Sequence, residues 1–191
     1  NYFVKKNNFL YPKSDEIIID TNLYIPKNLK VIVGPNQIIR LINNAFIFSD
    51  SSWILKGTKK DPILISGYKD NFGGGIFISS IKKNIFKNVK LQYLKGPNIN
   101  SKTNNQNSLN DYRIYGALNF FKTDVEISNL YASDILSEDA LNVIKSSFYI
   151  EDSYFLNIGS DAIDFDFSDG KINNIYFKNI LNDALDFSGS K

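Results

Sequence analysis

Three aspartates, Asp164, Asp166 and Asp186, have the types and spacing in this 191-residue chain that could do chemistry. Asp166 lies two residues after Asp164, and Asp186 lies one period after it in a repeat described below. On stacked extended strands, equivalent positions are about 4.8 Å apart and residues i and i+2 about 6.6 Å apart. Carboxyl pairs at such separations serve retaining and inverting glycoside hydrolysis. The same oxygens would also suit Ca²⁺, a hard cation that would relieve the repulsion between stacked carboxylates. A solvated acidic face screened by salt is the third reading. Asn119 and Asn142 share the phase of Asp164 and Asp186, so they extend the outward column as candidate ligand contacts. Tyr131, Tyr154 and Tyr176 form a second outward column, whose rings offer a platform for pyranose faces or a partner surface. Of the two arginines, Arg40 and Arg113, only Arg113 has a plausible catalytic neighbourhood, beside Asp111, Tyr112 and Tyr115.

What is absent narrows the chemistry further. The chain has no histidine and no cysteine, which removes histidine-based triads, thiolate nucleophiles and most zinc sites. A formal charge of +2 gives no electrostatic footprint for nucleic acid or an anionic membrane, and no apolar run is long enough to span a bilayer. Neither partner is expected. Lysine far outnumbers arginine, asparagine and isoleucine are abundant, and no asparagine lies in a glycosylation sequon, all of which fits a bacterial or phage source. Without methionine the chain reads as a piece of a longer protein, with the remainder of that polypeptide as one partner.

The elements that must position these residues are set by the repeat. Gly116-Ala117-Leu118-Asn119-Phe120 recurs at Asp139-Ala140-Leu141-Asn142-Val143, Asp161-Ala162-Ile163-Asp164-Phe165 and Asp183-Ala184-Leu185-Asp186-Phe187. Tyr131, Tyr154 and Tyr176 keep the same register, as do Ile135, Ile158 and Ile180. Within each repeat, apolar and polar residues alternate with period 2, which is the pattern of a strand with one buried face. Three short strands per coil of about 22 residues cannot bury their inner faces alone, but can when coil stacks on coil. The expected fold is all-β: a single-stranded right-handed parallel β-helix, or solenoid, over 1–191, with around eight coils. Two further columns read as structural. Asp139, Asp161 and Asp183 should accept backbone N–H groups at the turn entering each strand, and Asp134, Asn157 and Asn179 should form an amide ladder in a turn.

The N-terminal half follows the pattern with looser phase. Leu23 to Pro26, Leu29 to Val33, Ile38 to Leu41, Ala45 to Phe48, Trp53 to Leu55 and Pro62 to Ile65 are short apolar strands between turn signals. Gly73 to Ile78 then opens a coil in which Val89 and Leu91 take the phase of Leu130 and Ala132. Residues 95–114 form a polar, Asn-rich inserted loop. Residues 183–191 begin a new coil and stop, so the chain is expected to continue past Lys191.

The stretches "LYIPKNLKVIVGP", "WILKGTKKDPILISG", "GGGIFISS" and "NVKLQYL" resemble opening coils of bacterial right-handed β-helix proteins of the pectate-lyase-like superfamily. More narrowly, "GALNFFKTDVEIS", "EDALNVIKSSFYIEDSYF", "SDAIDFDFSDG" and "NDALDFSGS" resemble β-helix domains of bacterial cell-surface proteins, some joined to a spore-coat-protein-H-like kinase domain. The resemblance implies the fold and a secreted or cell-surface location, and carries no catalytic motif. Polygalacturonase-type relatives pair clustered aspartates with a histidine that this chain lacks, and lyases on this fold often use Lys or Arg with Ca²⁺. The sequence therefore reads as a non-catalytic domain that binds a polysaccharide or cell-surface glycan or presents a rigid surface. Two alternatives stand beside it: a polysaccharide lyase or glycoside hydrolase using Asp164, Asp166, Asp186 and Arg113, and a phage-fibre or adhesin stalk.

Overall fold

The computed structural model describes residues 2–97 and 114–191. A hairpin of β1 (Phe3–Lys6) and β2 (Phe9–Pro12), then β3 (Glu16–Ile19), precede the first full coil of β4 (Leu23–Ile25), β5 (Lys30–Val33) and β6 (Ile38–Leu41). The next coil is β7 (Phe46–Ser49), β8 (Ser52–Lys56) and β9 (Ile63–Ser66). From there on, the second and third strands of each coil fuse into one bent strand. These coils are β10 (Gly75–Ile78) with β11 (Asn84–Gln92), β12 (Gly116–Phe121) with β13 (Val125–Ile135), and β14 (Asp139–Ile144) with β15 (Ser147–Ile158). They continue with β16 (Asp161–Asp166), β17 (Asp169–Ile180) and β18 (Leu185–Ser188).

The coils stack in parallel into a β-solenoid of about 7 turns, one fewer than the repeat count suggests. One sheet runs β4, β7, β10, β12, β14, β16, β18. The other begins with β1 antiparallel to β2 and continues through β5 and β8 into the fused strands, while β3, β6 and β9 lead to the second half of β11. Each strand named from the sequence in the N-terminal half is present within a residue or two.

Period-2 alternation explains the core. Leu118, Leu141 and Ile163 stack in register with Leu185 and face inward, as do Phe120, Val143 and Phe165, whose row ends in the half-exposed Phe187 of the last coil. Phe165 stacks between Phe148 at 4.1 Å and Phe187 at 5.1 Å between ring centroids. Such ladders bury aromatic faces that a single coil would leave wet.

Three corners hold the coils in left-handed backbone conformations. Two are filled, apart from Tyr93 at the end of β11 with φ 54°, by residues that adopt that region at little cost. Asn88, Asn129, Asp152 and Asn174, at φ between 50° and 54°, bend the fused strands. Asp134, Asn157 and Asn179, at φ 54–55°, end them. The amide ladder read from the sequence at this second corner is present: Asn157 Nδ2 donates to Asp134 Oδ1 at 3.1 Å, and Asn179 Nδ2 to Asn157 Oδ1 at 2.9 Å. We expect Asn157→Ala to cost about 1–2 kcal/mol, from left-handed strain and the lost ladder, and Asn157→Gly distinctly less. Urea midpoints of the two variants check this. A hydroxyl ladder was not read from the sequence. Ser146, Ser168 and Ser190 Oγ accept the backbone N–H of Thr123, Ser146 and Ser168 in the preceding coil.

Candidate functional site

The outward row of the first sheet runs Tyr24, Phe48, Phe77, Asn119, Asn142, Asp164, Asp186, in register from coil to coil. It grades from aromatic through amide to acid. Asn119 and Asn142, expected as ligand contacts, are 0% and 1% exposed, which corrects that expectation. Outward direction does not mean solvent here, because Phe46, Phe77, Phe121 and Ile114 form a second apolar cluster outside the main core. Asn119 is consumed internally: its amide donates to the carbonyls of Gly116 and Ile76, and its Oδ1 accepts the Gly116 N–H. Asn142 Nδ2 donates to Asp139 Oδ2 at 2.7 Å and Asp164 Oδ2 at 3.3 Å. Among the described residues, Asn142 Oδ1 and Asp164 Oδ1 are buried without a hydrogen-bond partner.

This environment suppresses ionisation. Burial pushes the carboxyl of Asp139 up to about 7; Asn142 opposes the rise, and Asp164, Glu138 and Asp161 add to it. Burial, with the repulsion of Asp166, Asp186, Asp161 and Glu138, likewise raises Asp164 to about 7. Asp166 is raised by burial and Asp186, against the pull of Lys145. Among the described residues, no three carboxylates are grouped so that they could hold a metal ion. The Ca²⁺ expectation for Asp164, Asp166 and Asp186 therefore lacks its geometry. A cation needs several oxygens at 2.3–2.6 Å around one point, whereas these groups are spread along and across strands, and burial raises the carboxyls of Asp164 and Asp166. Of the turn aspartates, Asp161 behaves as expected, accepting the Asp183 N–H at 2.8 Å. Asp139 does not: it is buried and holds the Asn142 amide.

The tyrosine column lies on another face. Its outward row runs Ile38, Leu64, Lys90, Tyr131, Tyr154, Tyr176. Tyr154 and Tyr176 are 47% and 51% exposed, with ring centroids 5.8 Å apart and planes tilted by 48°. Tyr131 is half-buried, and Lys90 Nζ sits 6.0 Å from its ring centroid. Beside them opens a groove of about 200 Å³ bordered by Lys59, Lys90, Asn129, Tyr131, Asp152 and Tyr154.

The groove has a local cause. In later coils a single left-handed residue turns the corner, but β8 and β9 are joined by the loop 57–62, which stands beside the corner. Its base is fixed where Asn88 Nδ2 donates to the Gly57 carbonyl at 3.0 Å. Only glycine fits there, since a Cβ on residue 57 would lie 2.5 Å from the Asn88 carbonyl oxygen. Thr58 Oγ1 accepts the Asp61 N–H and closes the loop.

The structure thus brings Tyr131, Tyr154 and Tyr176 together and separates them from Asp164, Asp166 and Asp186. Arg113, and all of the expected insertion 95–114 except residues 95–97 and 114, lie outside the described residues. Lys59, Lys90 and Asp152 were not singled out from the sequence, although Lys90 sits one coil before Tyr131 between the assigned core positions Val89 and Leu91. Among the described residues no helix is long and apolar enough to cross a membrane. Compared with known protein families, curated proteins and solved structures, the chain matches none.

Proposed function

We propose that this chain is a non-catalytic glycan-binding β-solenoid of a secreted or cell-surface protein of bacterial or phage origin, akin to the pectate-lyase-like β-helices it resembles. The observation that carries the reading is the row of exposed tyrosine rings beside a groove lined by amide, ammonium and carboxylate groups. Ring faces suit the apolar faces of pyranoses, and the polar rim suits their hydroxyls. Consecutive rings on stacked coils repeat along the axis at about 4.8 Å, so the platform suits an extended polymer better than a compact metabolite.

A panel of plant, fungal and bacterial cell-wall polysaccharides, followed by affinity electrophoresis and reducing-end release, tests this. At least one polymer should be retained without being shortened, and Tyr154→Ala should weaken retention about tenfold or more. Retention unchanged by that substitution would remove the tyrosine face from the account.

One observation favours polysaccharide lyase or hydrolase activity as a second reading. Burial, with Asp166 beside it, raises the Asp164 carboxyl to about 7, the range in which a general acid works. Depolymerisation in the panel, abolished by Asp164→Asn, would establish that reading in place of the first.

A further inference from the structure

The third corner of the solenoid departs from the pattern of the other two, where asparagine or aspartate holds the left-handed position in every coil from β12 onward. At the turn from the first sheet into the fused strands, the left-handed position is held by Lys122, Lys145, Phe167 and Gly189, at φ 47°, 49°, 48° and 65°. Asparagine and aspartate, which accept this conformation readily, fill the other corners in the same coils. Lysine and phenylalanine do not accept it readily, so conformational preference does not account for their presence here. Lys122, Lys145 and Phe167 border a polar depression of about 360 Å³, together with Asp124, Ser147 and Asp169. Phe167 is 65% exposed, with Lys145 Nζ 5.9 Å from its ring centroid. Lys122 Nζ similarly lies 5.1 Å from the centroid of Phe121.

The composition resembles that of the tyrosine groove: an exposed aromatic ring, two lysines and at least one aspartate within one concave surface. Donors and acceptors both line the depression, which suits the hydroxyls of a pyranose, whereas a purely cationic or acidic rim would select a charged ligand. We propose that the depression over Phe167 is a second, independent pyranose-binding site. The chain would then grip a polysaccharide at two places on different faces. This rests on the glycan-binding reading and extends it from one site to two. Two modest sites on one rigid body hold a polymer far more tightly than either alone, because the second contact is intramolecular.

Titration calorimetry with chitopentaose, cellopentaose and pentagalacturonate tests the proposal, using the wild-type chain, Phe167→Gly, Tyr154→Ala and the double variant. Phe167→Gly removes the ring while suiting the left-handed backbone, and its melting curve reports whether it folds; Phe167→Leu, which keeps an apolar cover over Gly189 without an aromatic face, replaces it if it does not. The expected result is two oligosaccharides per wild-type chain, one for each single variant with the remaining affinity changed less than about twofold, and none for the double variant. One oligosaccharide per wild-type chain, unaffected by loss of the Phe167 ring but lost with Tyr154→Ala, would overturn the second site and leave the glycan reading intact. No binding of any probe by the wild-type chain would overturn both.

Discussion

Trp53→Ala should lower the unfolding free energy by about 3–5 kcal/mol, the cost of replacing a large aromatic core residue by alanine. Trp53 is fully buried, and its Nε1 donates to Ser49 Oγ at 2.9 Å. Its backbone N–H donates to Asn84 Oδ1 in the next coil, and its ring meets the edge of Phe3 at 6.4 Å. Phe3 belongs to the N-terminal hairpin, where Tyr2, Phe3 and Leu10 pack against the core. One residue therefore joins the hairpin, through its ring, to its own coil and, through its backbone N–H, to the next. In a solenoid each coil contacts only its neighbours, so the loss should be regional. Hydrogen exchange is expected to accelerate in β1, β2, β5 and β8 and to stay near wild type in β15 and β17. Val4→Ala, on the exposed side of the same hairpin, should shift stability by no more than about 0.5 kcal/mol. Uniform acceleration along the whole chain would contradict the one-dimensional account.

The second large effect concerns pH. Asp139 titrates near 3.8 when unfolded and is held up to about 7 in the fold, first by burial and then by Asp164, Glu138 and Asp161. Between those values the folded chain binds the extra proton, so stability falls as pH rises. The protonated form's advantage is fully present below about pH 4 and is lost as pH passes through 7. Each unit of such a shift corresponds to about 1.4 kcal/mol, so Asp139→Asn should stabilise the chain at pH 8 by about 2–4 kcal/mol. It should also flatten the decline in melting temperature between pH 5 and pH 8. The amide keeps the size of the carboxyl and can still accept from Asn142 through its oxygen. Asp164→Asn should act in the same direction but less, since its carboxyl is partly screened by water. A wild-type melting temperature that rises steadily from pH 5 to pH 8 would show that this cluster is ionised and compensated by something else.

Much of the fold was legible because the repeat made it so. A pentapeptide recurring with aligned Tyr, Ile and Asn columns gives strand phase, inward face and coil height together. The same phase also placed the amide ladder at Asp134, Asn157 and Asn179. The N-terminal hairpin went unread because it lies before the repeat, although Asn7-Asn8 between Phe3 to Lys6 and Phe9 to Pro12 is a two-residue turn signal. The hydroxyl ladder of Thr123, Ser146, Ser168 and Ser190 also keeps the period, but serines near turns carry little weight by themselves. The site was only half legible. Alternation says which way a side chain points and not what covers it, so it places Asn119 and Asn142 outward without showing that they are buried. The second apolar cluster outside the sheet, built from Phe46, Phe77, Phe121 and Ile114, is a tertiary feature with no periodic signature. The groove next to the tyrosines likewise depends on the corner loop 57–62, a departure from the repeat that periodicity cannot anticipate.

The central claim is that ligand is read by the tyrosine face and not by the acidic row. Amide and side-chain chemical-shift mapping, with an oligosaccharide of whichever polymer the chain retains, addresses it in one experiment. The account predicts the largest shifts at Lys59, Lys90, Tyr131, Asp152 and Tyr154, with the second set around Phe167 and Asp164 and Asp186 nearly unmoved. Shifts concentrated on Asp164, Asp166 and Asp186, with the tyrosines silent, would contradict it.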